Sequence, residues 1–157
     1  MDNFGDRLAE ANRKTQTPLC MGIDPHVTMI PALFGNAAAE AGSDEALSAI
    51  ANFCDACVKV ATGRVAAIKP QAAFFEMQGP KGMQILKDLG HAAIDAGLLV
   101  VMDAKRGDIG STSSAYAKAW IGHDALFPSD ALTINPWLGI DTLEPFISCL
   151  LYTSPSP

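Results

Sequence analysis

The chain has 157 residues, of which 49% are hydrophobic and 18% are charged, and its formal net charge at pH 7 is -6. This composition is typical of one globular domain with a buried core and excludes a disordered chain. The basic residues form no cluster, so the sequence predicts no nucleic-acid partner and no binding to an anionic membrane surface.

The first 19 residues, MDNFGDRLAEANRKTQTPL, predict a short amphipathic helix. They contain no apolar segment of the kind that a secretory signal peptide requires. No apolar run in the chain approaches the ~20 residues of a membrane span. We therefore expect a cytoplasmic protein with no membrane partner.

Four short apolar runs predict buried strands, and helical patterns lie between them. The strands are predicted at 19–24 (LCMGID), 65–71 (VAAIKPQ), 98–105 (LLVVMDAK) and 131–137 (ALTINPW), and the helices near 43–62, 80–96 and 111–121. Gly63 and Gly97 follow two of these helical patterns, as helix-ending glycines do. Strands that alternate with helices predict a parallel α/β sheet, either an open doubly wound sheet or a barrel.

Polar residues stand at the carboxyl ends of the predicted strands. Because side chains alternate across a strand, each run is apolar along most of one face and ends on a polar residue of that face: Asp24, Lys69, Asp103 with Lys105, and Asn135. An open sheet binds ligands at one crevice, whereas a (β/α)8 barrel collects site residues from successive strands. The pattern favours a TIM barrel, here with about four βα units of an incomplete one. The chain contains neither of the Gly-rich nucleotide-binding motifs.

The four cysteines include one Cys-x-x-Cys pair, Cys54 and Cys57. A structural zinc site needs two further Cys or His ligands at a suitable spacing, and the sequence supplies none. Because the pair lies within the helical pattern at 43–62, we expect two small packed thiols and no metal site.

The charged stretch at residues 103–117, DAKRGDIGSTSSAYA, resembles the signature of the orotidine 5'-phosphate decarboxylase family, in particular its longer bacterial branch. Three further segments resemble the family in the expected order: GIDP at 22–25, AIKPQAAFFE at 67–76 and TINPWLGIDTLEPF at 133–146. The resemblance implies a homodimer of TIM barrels that converts orotidine 5'-phosphate to uridine 5'-phosphate and CO2 in de novo pyrimidine synthesis, without a cofactor.

The resemblance also implies which residues form the site of one subunit. Lys69, Asp103 and Lys105 match the alternating charges that one subunit of the family supplies. Asp24 matches the carboxylate that hydrogen-bonds the ribose hydroxyls of the substrate. Asp24 also precedes a proline, so a simple turn residue is the alternative interpretation.

Other residues of the same segments have different expected places. By resemblance, Asp108 reaches into the site of the neighbouring subunit, together with Ile109 and Thr112. Asn135, which precedes a proline, is expected either to line the substrate pocket or to begin a turn. Arg106 is expected to point away from the barrel interior and to form an ion pair at the surface.

The chemistry of the implied reaction suits a lysine. Loss of CO2 from C6 of the pyrimidine leaves an electron pair that the ring does not delocalise. An ammonium group aimed at that carbon stabilises the developing charge, by several kcal/mol in a dry site, and then protonates it, which is worth ~10²–10⁴-fold in rate. We expect Lys105 to be this acid and Asp103 to keep it protonated and oriented, because a nearby opposite charge favours the charged form.

Three alternatives stay open. Asp103, Lys105 and Asp108 are equally typical of a structural salt-bridge cluster at a strand end. Magnesium-dependent sugar-phosphate decarboxylases and aldolases of the same barrel group share the D-x-K-x-x-D pattern, but they place a carboxylate where Lys69 stands, and a lysine repels Mg²⁺. A non-catalytic fragment that retains only the dimer contact around Asp108 to Thr112 is the third.

The length of the chain differs from that of a complete barrel, which has eight strands and typically ~250 residues. We expect residues 1–147 to be the N-terminal half of a TIM barrel. The tail at 148–157 (SCLLYTSPSP), starting near Ser148, is expected to be unrelated to the family and to arise from a truncated or misassembled reading frame. The phosphate-binding and pyrimidine-binding residues of the family have no counterpart here. The chain alone is therefore expected to expose sheet edges, to aggregate or fold only in part, and to be nearly inactive.

Overall fold

The computed structural model describes residues 3–121 and 124–153, and in this part of the chain four strands form one parallel sheet. The strands are β1 Cys20–Ile23, β2 Ala67–Pro70, β3 Leu99–Arg106 and β4 Ala131–Ile134. Their order in the sheet is β1-β2-β3-β4, so each strand pairs with its neighbour in the sequence. A doubly wound sheet reverses its strand order at a switch point, whereas a barrel does not. The described strands contain no such reversal.

Helices connect the strands, and the first two long helices begin at side-chain caps. Asn3 Oδ1 accepts a hydrogen bond from the Asp6 N–H at 3.0 Å, and Ser43 Oγ accepts one from the Ala46 N–H at 3.2 Å. A cap of this kind stabilises a helix by about 1 kcal/mol. The helices are α1 Phe4–Thr15, α2 Asp44–Ala61, α3 Ala73–Glu76, α4 Gly79–Asp95, α5 Gly110–Trp120 and α6 Glu144–Thr153, with 3-10 turns at Ala32–Phe34 and Ile140–Thr142.

The predicted strands, the amphipathic N-terminal helix and the three later helices are confirmed, with ends that differ by a few residues. The sequence pattern missed α3 and α6. A helix of four residues, such as α3, is too short to show a 3.6-residue period. Helix α6 is apolar at most positions (EPFISCLLYT), so a contrast between two faces is weak there.

The core lies between one face of the sheet and the helices α2 and α4, which pack against each other. Ile68, Val100 and Met102 on the strands are fully buried, as are Ile50 of α2 and Leu86 of α4. Burial of each such side chain stabilises the fold by about 1.5–3 kcal/mol. Because side chains alternate across a strand, the residues between these positions belong to the other face of the sheet.

The pairing of β3 with β4 is irregular near its carboxyl end. Met102 pairs with Leu132, and Arg106 pairs with Ile134, so residues 103–105 of β3 stand opposite the single residue Thr133 of β4. Extra residues in one strand bend it and change the direction of its side chains, and such bulges are frequent next to active sites.

The predicted boundary between residues 1–147 and the tail at 148–157 lies within α6. The Ser148 hydroxyl donates a hydrogen bond to Glu144 Oε1 at 2.9 Å, one turn earlier. Residues 154–157 of the predicted tail lie outside the described residues. The origin of the tail by truncation stays a prediction. In the described part of the chain, no helix is both long enough and apolar enough to cross a bilayer.

Candidate active site

Five polar side chains meet at the carboxyl ends of β2, β3 and β4, around the carboxylate of Asp103. Its Oδ2 accepts hydrogen bonds from Lys69 Nζ at 2.9 Å and Gln71 Nε2 at 3.0 Å. Its Oδ1 accepts hydrogen bonds from Lys105 Nζ at 2.6 Å and Thr133 Oγ1 at 2.8 Å. We call these five residues the Asp103 cluster. It places two ammonium groups on opposite oxygens of one carboxylate.

The parallel register of the sheet brings the cluster together. Lys69 lies in β2, and two residues later Gln71 forms a parallel bridge with Asp103 of β3. Gln71 is fixed from the other side as well, because its backbone N–H donates to the Ile23 carbonyl at the end of β1, at 3.1 Å. Residues on one face of a strand are two positions apart, so Lys69 and Gln71 reach the same carboxylate.

Burial differs sharply among the three charged residues. The side chain of Asp103 is only 10% exposed, whereas those of Lys69 and Lys105 are 35% and 63% exposed. The carboxylate is thus the buried centre, and both ammonium groups that bind it are more exposed to solvent than it is.

The same contacts set the protonation state of Asp103. Burial by itself would raise the pKa of this carboxyl. Hydrogen bonds from Lys105, Lys69 and Thr133, together with the positive charge of Lys69, lower it by more. The pKa of Asp103 therefore lies well below its usual range. The carboxylate is ionised at neutral pH and holds two cations next to it.

Arg106 points away from the cluster, as its position in the strand predicts. Its guanidinium forms an ion pair with Glu76 and donates to the Ala104 carbonyl at 3.0 Å. The guanidinium carbon lies 4.9 Å from the ring centroid of Trp120 and 5.6 Å from that of Tyr116. The guanidinium is thus held by aromatic rings as well as by the expected ion pair.

The predicted ligand residues Asp24 and Asn135 are both exposed near the ends of their strands. The Asp24 carbonyl accepts a hydrogen bond from the His26 N–H at 2.7 Å, as in a tight turn. Asn135 Oδ1 accepts one from the Trp137 N–H at 3.0 Å. This local bond is typical of an Asn that begins a turn. Neither contact joins these residues to the Asp103 cluster.

The second group of predicted residues lies on the connection from β3 to α5. Asp108 is half-buried, and its Oδ1 accepts a hydrogen bond from the Ile109 N–H at 2.7 Å. Ile109 is 63% exposed, and Thr112 in the first turn of α5 is also exposed. Among the residues that the structure describes, Asp108 forms no ion pair. The structure therefore separates it from Lys69, Asp103 and Lys105, which it brings together.

Two members of the Asp103 cluster were not among the predicted site residues. Gln71 continues the alternation that places Val65, Ala67 and Lys69 on one face, so the period of two could have identified it. Thr133 could be identified from the sequence only as a polar residue of the predicted strand at 131–137. Its contact with Asp103 depends on the bulge opposite it, which the sequence pattern does not show.

The cysteines are free thiols, with Cys54 buried and Cys57 half-buried on α2. Burial raises the pKa of the Cys54 thiol strongly, with smaller contributions from Cys57 and Asp55. A thiol in this state is a poor nucleophile and a poor metal ligand. Within residues 3–121 and 124–153, no three His, Cys, Asp or Glu side chains lie close enough to hold a metal ion together.

The strand order and the polar residues at the strand ends place this chain in the class of parallel α/β barrel proteins that carry their site at the carboxyl ends of the strands. A family model described as "Orotidine 5'-phosphate decarboxylase / HUMPS family" matches residues 17–151. The chain belongs to this family.

Curated relatives and solved structures agree with the family match. Orotidine 5'-phosphate decarboxylase of Streptomyces coelicolor is 44% identical over 147 residues, which are 94% of this chain and 50% of the relative. The protein of that name from Rhodopirellula baltica is 40% identical over 151 residues, with the same coverage of 94% and 50%. The chain therefore spans about half the length of these relatives.

The structural comparisons show the same extent. A Streptomyces avermitilis homologue superposes with a TM-score of 0.82 at 41% identity, covering 96% of this chain and 50% of that one. OMP decarboxylase of Leishmania donovani superposes with a TM-score of 0.71 at 34% identity, covering 94% and 50%. The expected fold class is confirmed, since these structures are TIM barrels and the chain corresponds to half of each.

Proposed function

We propose that the chain carries the catalytic charges of a carboxy-lyase that converts orotidine 5'-phosphate to uridine 5'-phosphate, without a cofactor. The observation that supports this most directly is the Asp103 carboxylate with the ammonium groups of Lys69 and Lys105 at 2.9 and 2.6 Å. The relatives matched over the same residues carry the name of this activity.

In the proposed reaction, the bond between C6 of the pyrimidine and its carboxylate breaks, and CO2 leaves. The electron pair of that bond stays on C6, where the Lys105 ammonium stabilises it and then donates a proton to it. Asp103 stays ionised at neutral pH because its pKa lies well below its usual range, and its Oδ1 accepts the hydrogen bond that orients the Lys105 ammonium. The Lys69 ammonium donates a hydrogen bond to the other oxygen of Asp103, Oδ2, and its positive charge also favours the ionised carboxylate.

The roles of the remaining residues belong to the same proposal. Asp24 would bind the ribose hydroxyls, and Asn135 would line the pocket beyond β4. Asp108, Ile109 and Thr112 would contact the site of a second subunit in a cytoplasmic homodimer. The exposed side chains of Ile109 and Thr112, and the half-buried Asp108 without an ion pair in the described residues, support that placement.

Because the chain spans about half the length of its relatives, we propose that turnover requires the strands of the other half. Binding energy from parts of a substrate remote from the reacting atom contributes to the rate. The chain by itself is therefore expected to be nearly inactive. Release of CO2 from orotidine 5'-phosphate by the chain alone at the rate of a complete relative would contradict this part of the proposal.

The reaction is best tested in a complete barrel, made by joining residues 1–147 to the second half of the Streptomyces coelicolor relative. Formation of uridine 5'-phosphate is followed by chromatography, and folding by circular dichroism. Lys105→Ala should abolish turnover while part of the substrate affinity remains. Lys59→Ala, which removes an exposed lysine of α2, is the matched control and should leave the rate unchanged. A Lys105→Ala rate within a few-fold of the parent would remove Lys105 as the acid.

A magnesium-dependent reaction on a sugar phosphate is the second candidate, because the matched family model carries a second name beside that of the decarboxylase. The ion pair between Lys69 and Asp103 is unfavourable for it, since the ammonium occupies the side of the carboxylate where a cation would bind. Turnover of orotidine 5'-phosphate that is unchanged by EDTA is expected. Turnover of a sugar phosphate that EDTA abolishes would favour the second candidate.

A further inference from the structure

Lys105 has an unusual backbone for a residue with a long side chain. Its φ angle is 50°, in the left-handed region, and it lies in the bulge of residues 103–105. A residue other than glycine keeps such a conformation only where its surroundings hold it. The Lys105 side chain is 63% exposed, so packing around the ammonium does not supply that restraint. Hydrogen bonds must supply it.

Thr133 is hydrogen-bonded both to the backbone of Lys105 and to Asp103, which binds the Lys105 ammonium. Its Oγ1 accepts a hydrogen bond from the Lys105 backbone N–H at 3.0 Å and donates its own proton to Asp103 Oδ1 at 2.8 Å. The same Oδ1 accepts the hydrogen bond from Lys105 Nζ at 2.6 Å. The three residues thus form a closed ring of hydrogen bonds, from the Lys105 backbone through Thr133 and Asp103 to the Lys105 ammonium.

We propose that Thr133 is the positioning residue of Lys105: it holds the bulged backbone so that the ammonium stays at Oδ1 of Asp103. This inference rests on the proposed function, in which Lys105 is the proton donor. A hydroxyl is suited to the task, because one oxygen atom both donates and accepts. Donation to Asp103 directs a lone pair of Thr133 to the Lys105 N–H, so the two bonds support each other.

The other neighbours of Asp103 do not perform this task. Lys69 and Gln71 bind Oδ2, on the opposite side of the carboxylate, and they come from β2. Their contacts orient Asp103 but do not touch the Lys105 backbone. Thr133 is the residue of β4 that stands opposite the whole bulge, so the direction of Lys105 depends on it in particular.

Amide hydrogen exchange of the isotopically labelled chain, followed by NMR, tests the proposal without requiring turnover. In the unaltered chain, the Lys105 amide should be protected. Thr133→Val keeps the shape of the side chain but removes the hydroxyl, and should speed exchange at Lys105 by about tenfold. It should also broaden the signal of the Lys105 ammonium. Thr133→Ser should restore both signals.

The Leu99 amide, which donates to the Ala66 carbonyl at 3.1 Å between β2 and β3, is the internal control. Its exchange should stay the same in both variants. If Thr133→Val changes Lys105 exchange by less than about twofold, or speeds Leu99 equally, the positioning role is wrong. If the valine variant does not fold, the unaltered chain still decides, because an unprotected Lys105 amide there overturns the proposal. None of these results depends on the Lys105→Ala assay, so the two proposals can fail separately.

Discussion

Asp103→Asn removes the negative charge at the centre of the Asp103 cluster while keeping the shape of the side chain. The amide has nearly the volume of the carboxylate, but one of its two ends is an NH2 group that cannot accept a hydrogen bond. In the folded chain, the donors of Lys69 and Gln71 meet on one oxygen of Asp103, and those of Lys105 and Thr133 meet on the other. Whichever way the amide is oriented, two donors lose their acceptor.

The expected cost follows from burial. Removal of one member of a buried ion pair costs about 3–5 kcal/mol, because the remaining charge is left unpaired. The ammonium groups of Lys69 and Lys105 are 35% and 63% exposed, so water compensates part of that loss. We therefore expect Asp103→Asn to lower the free energy of unfolding by about 2 kcal/mol at neutral pH.

Urea unfolding followed by circular dichroism measures this quantity. Asp55→Asn removes an exposed carboxylate of α2, and its effect should be within about 0.5 kcal/mol of zero. The pKa of Asp103 is lowered by folding, so its contribution to stability is full above the pKa of the carboxyl in the unfolded chain, about 3.9. It is lost as the pH falls from there towards the pKa of the folded state. The difference between the parent and Asp103→Asn should therefore shrink below about pH 4.

Two results would refute this account of the cluster. One is a loss for Asp103→Asn no larger than that of Asp55→Asn, which would mean that the two ammonium groups do not depend on the carboxylate. The other is a difference that stays constant as the pH falls from neutral to about 3, which would mean that the pKa of Asp103 is not lowered in the folded chain.

Two further predictions concern packing. Gly107→Ala should lower the free energy of unfolding by about 1–3 kcal/mol, because a Cβ there would lie 2.6 Å from the Asn135 carbonyl oxygen. Thermal unfolding measures the effect, and Gly22→Ala is the control because nothing lies within 4 Å of a Cβ at that position. A similar loss of stability in both variants would contradict the steric cause. Buried Cys54 should resist iodoacetamide until urea unfolds the chain, whereas exposed Cys20 should react earlier. Mass spectrometry locates the label, and equal rates in the folded chain would contradict the packing of α2.

Much of the fold was predictable because its signals are local. The apolar residues of the runs at 65–71 and 98–105 are enough to predict strands, and the structure has β2 in the first run and β3 in the second. The period of two then placed Lys69 on one face of its strand and Asp103 with Lys105 on one face of the next. A parallel sheet aligns the carboxyl ends of its strands, so the meeting of these three side chains followed without further information.

Other features of the site depend on contacts between distant segments. The sequence gives no sign that β3 has three residues opposite Thr133, because a bulge is decided by the pairing of two strands that are about thirty residues apart. The left-handed backbone conformation of Lys105 is also not predictable from the segment DAKRG, since it follows from that bulge.

By itself, the sequence determined which side chains share one face of β2 and one face of β3, because alternation along a strand is a property of the chain in that strand. Only the tertiary structure decided which hydrogen-bond acceptor these side chains have in common. Asp103 was predicted as one charge among several, and the packed sheet makes it the buried acceptor of four hydrogen bonds. The physical reason is that burial and donor geometry arise from the register between strands, and that register is set by the packing of the whole sheet.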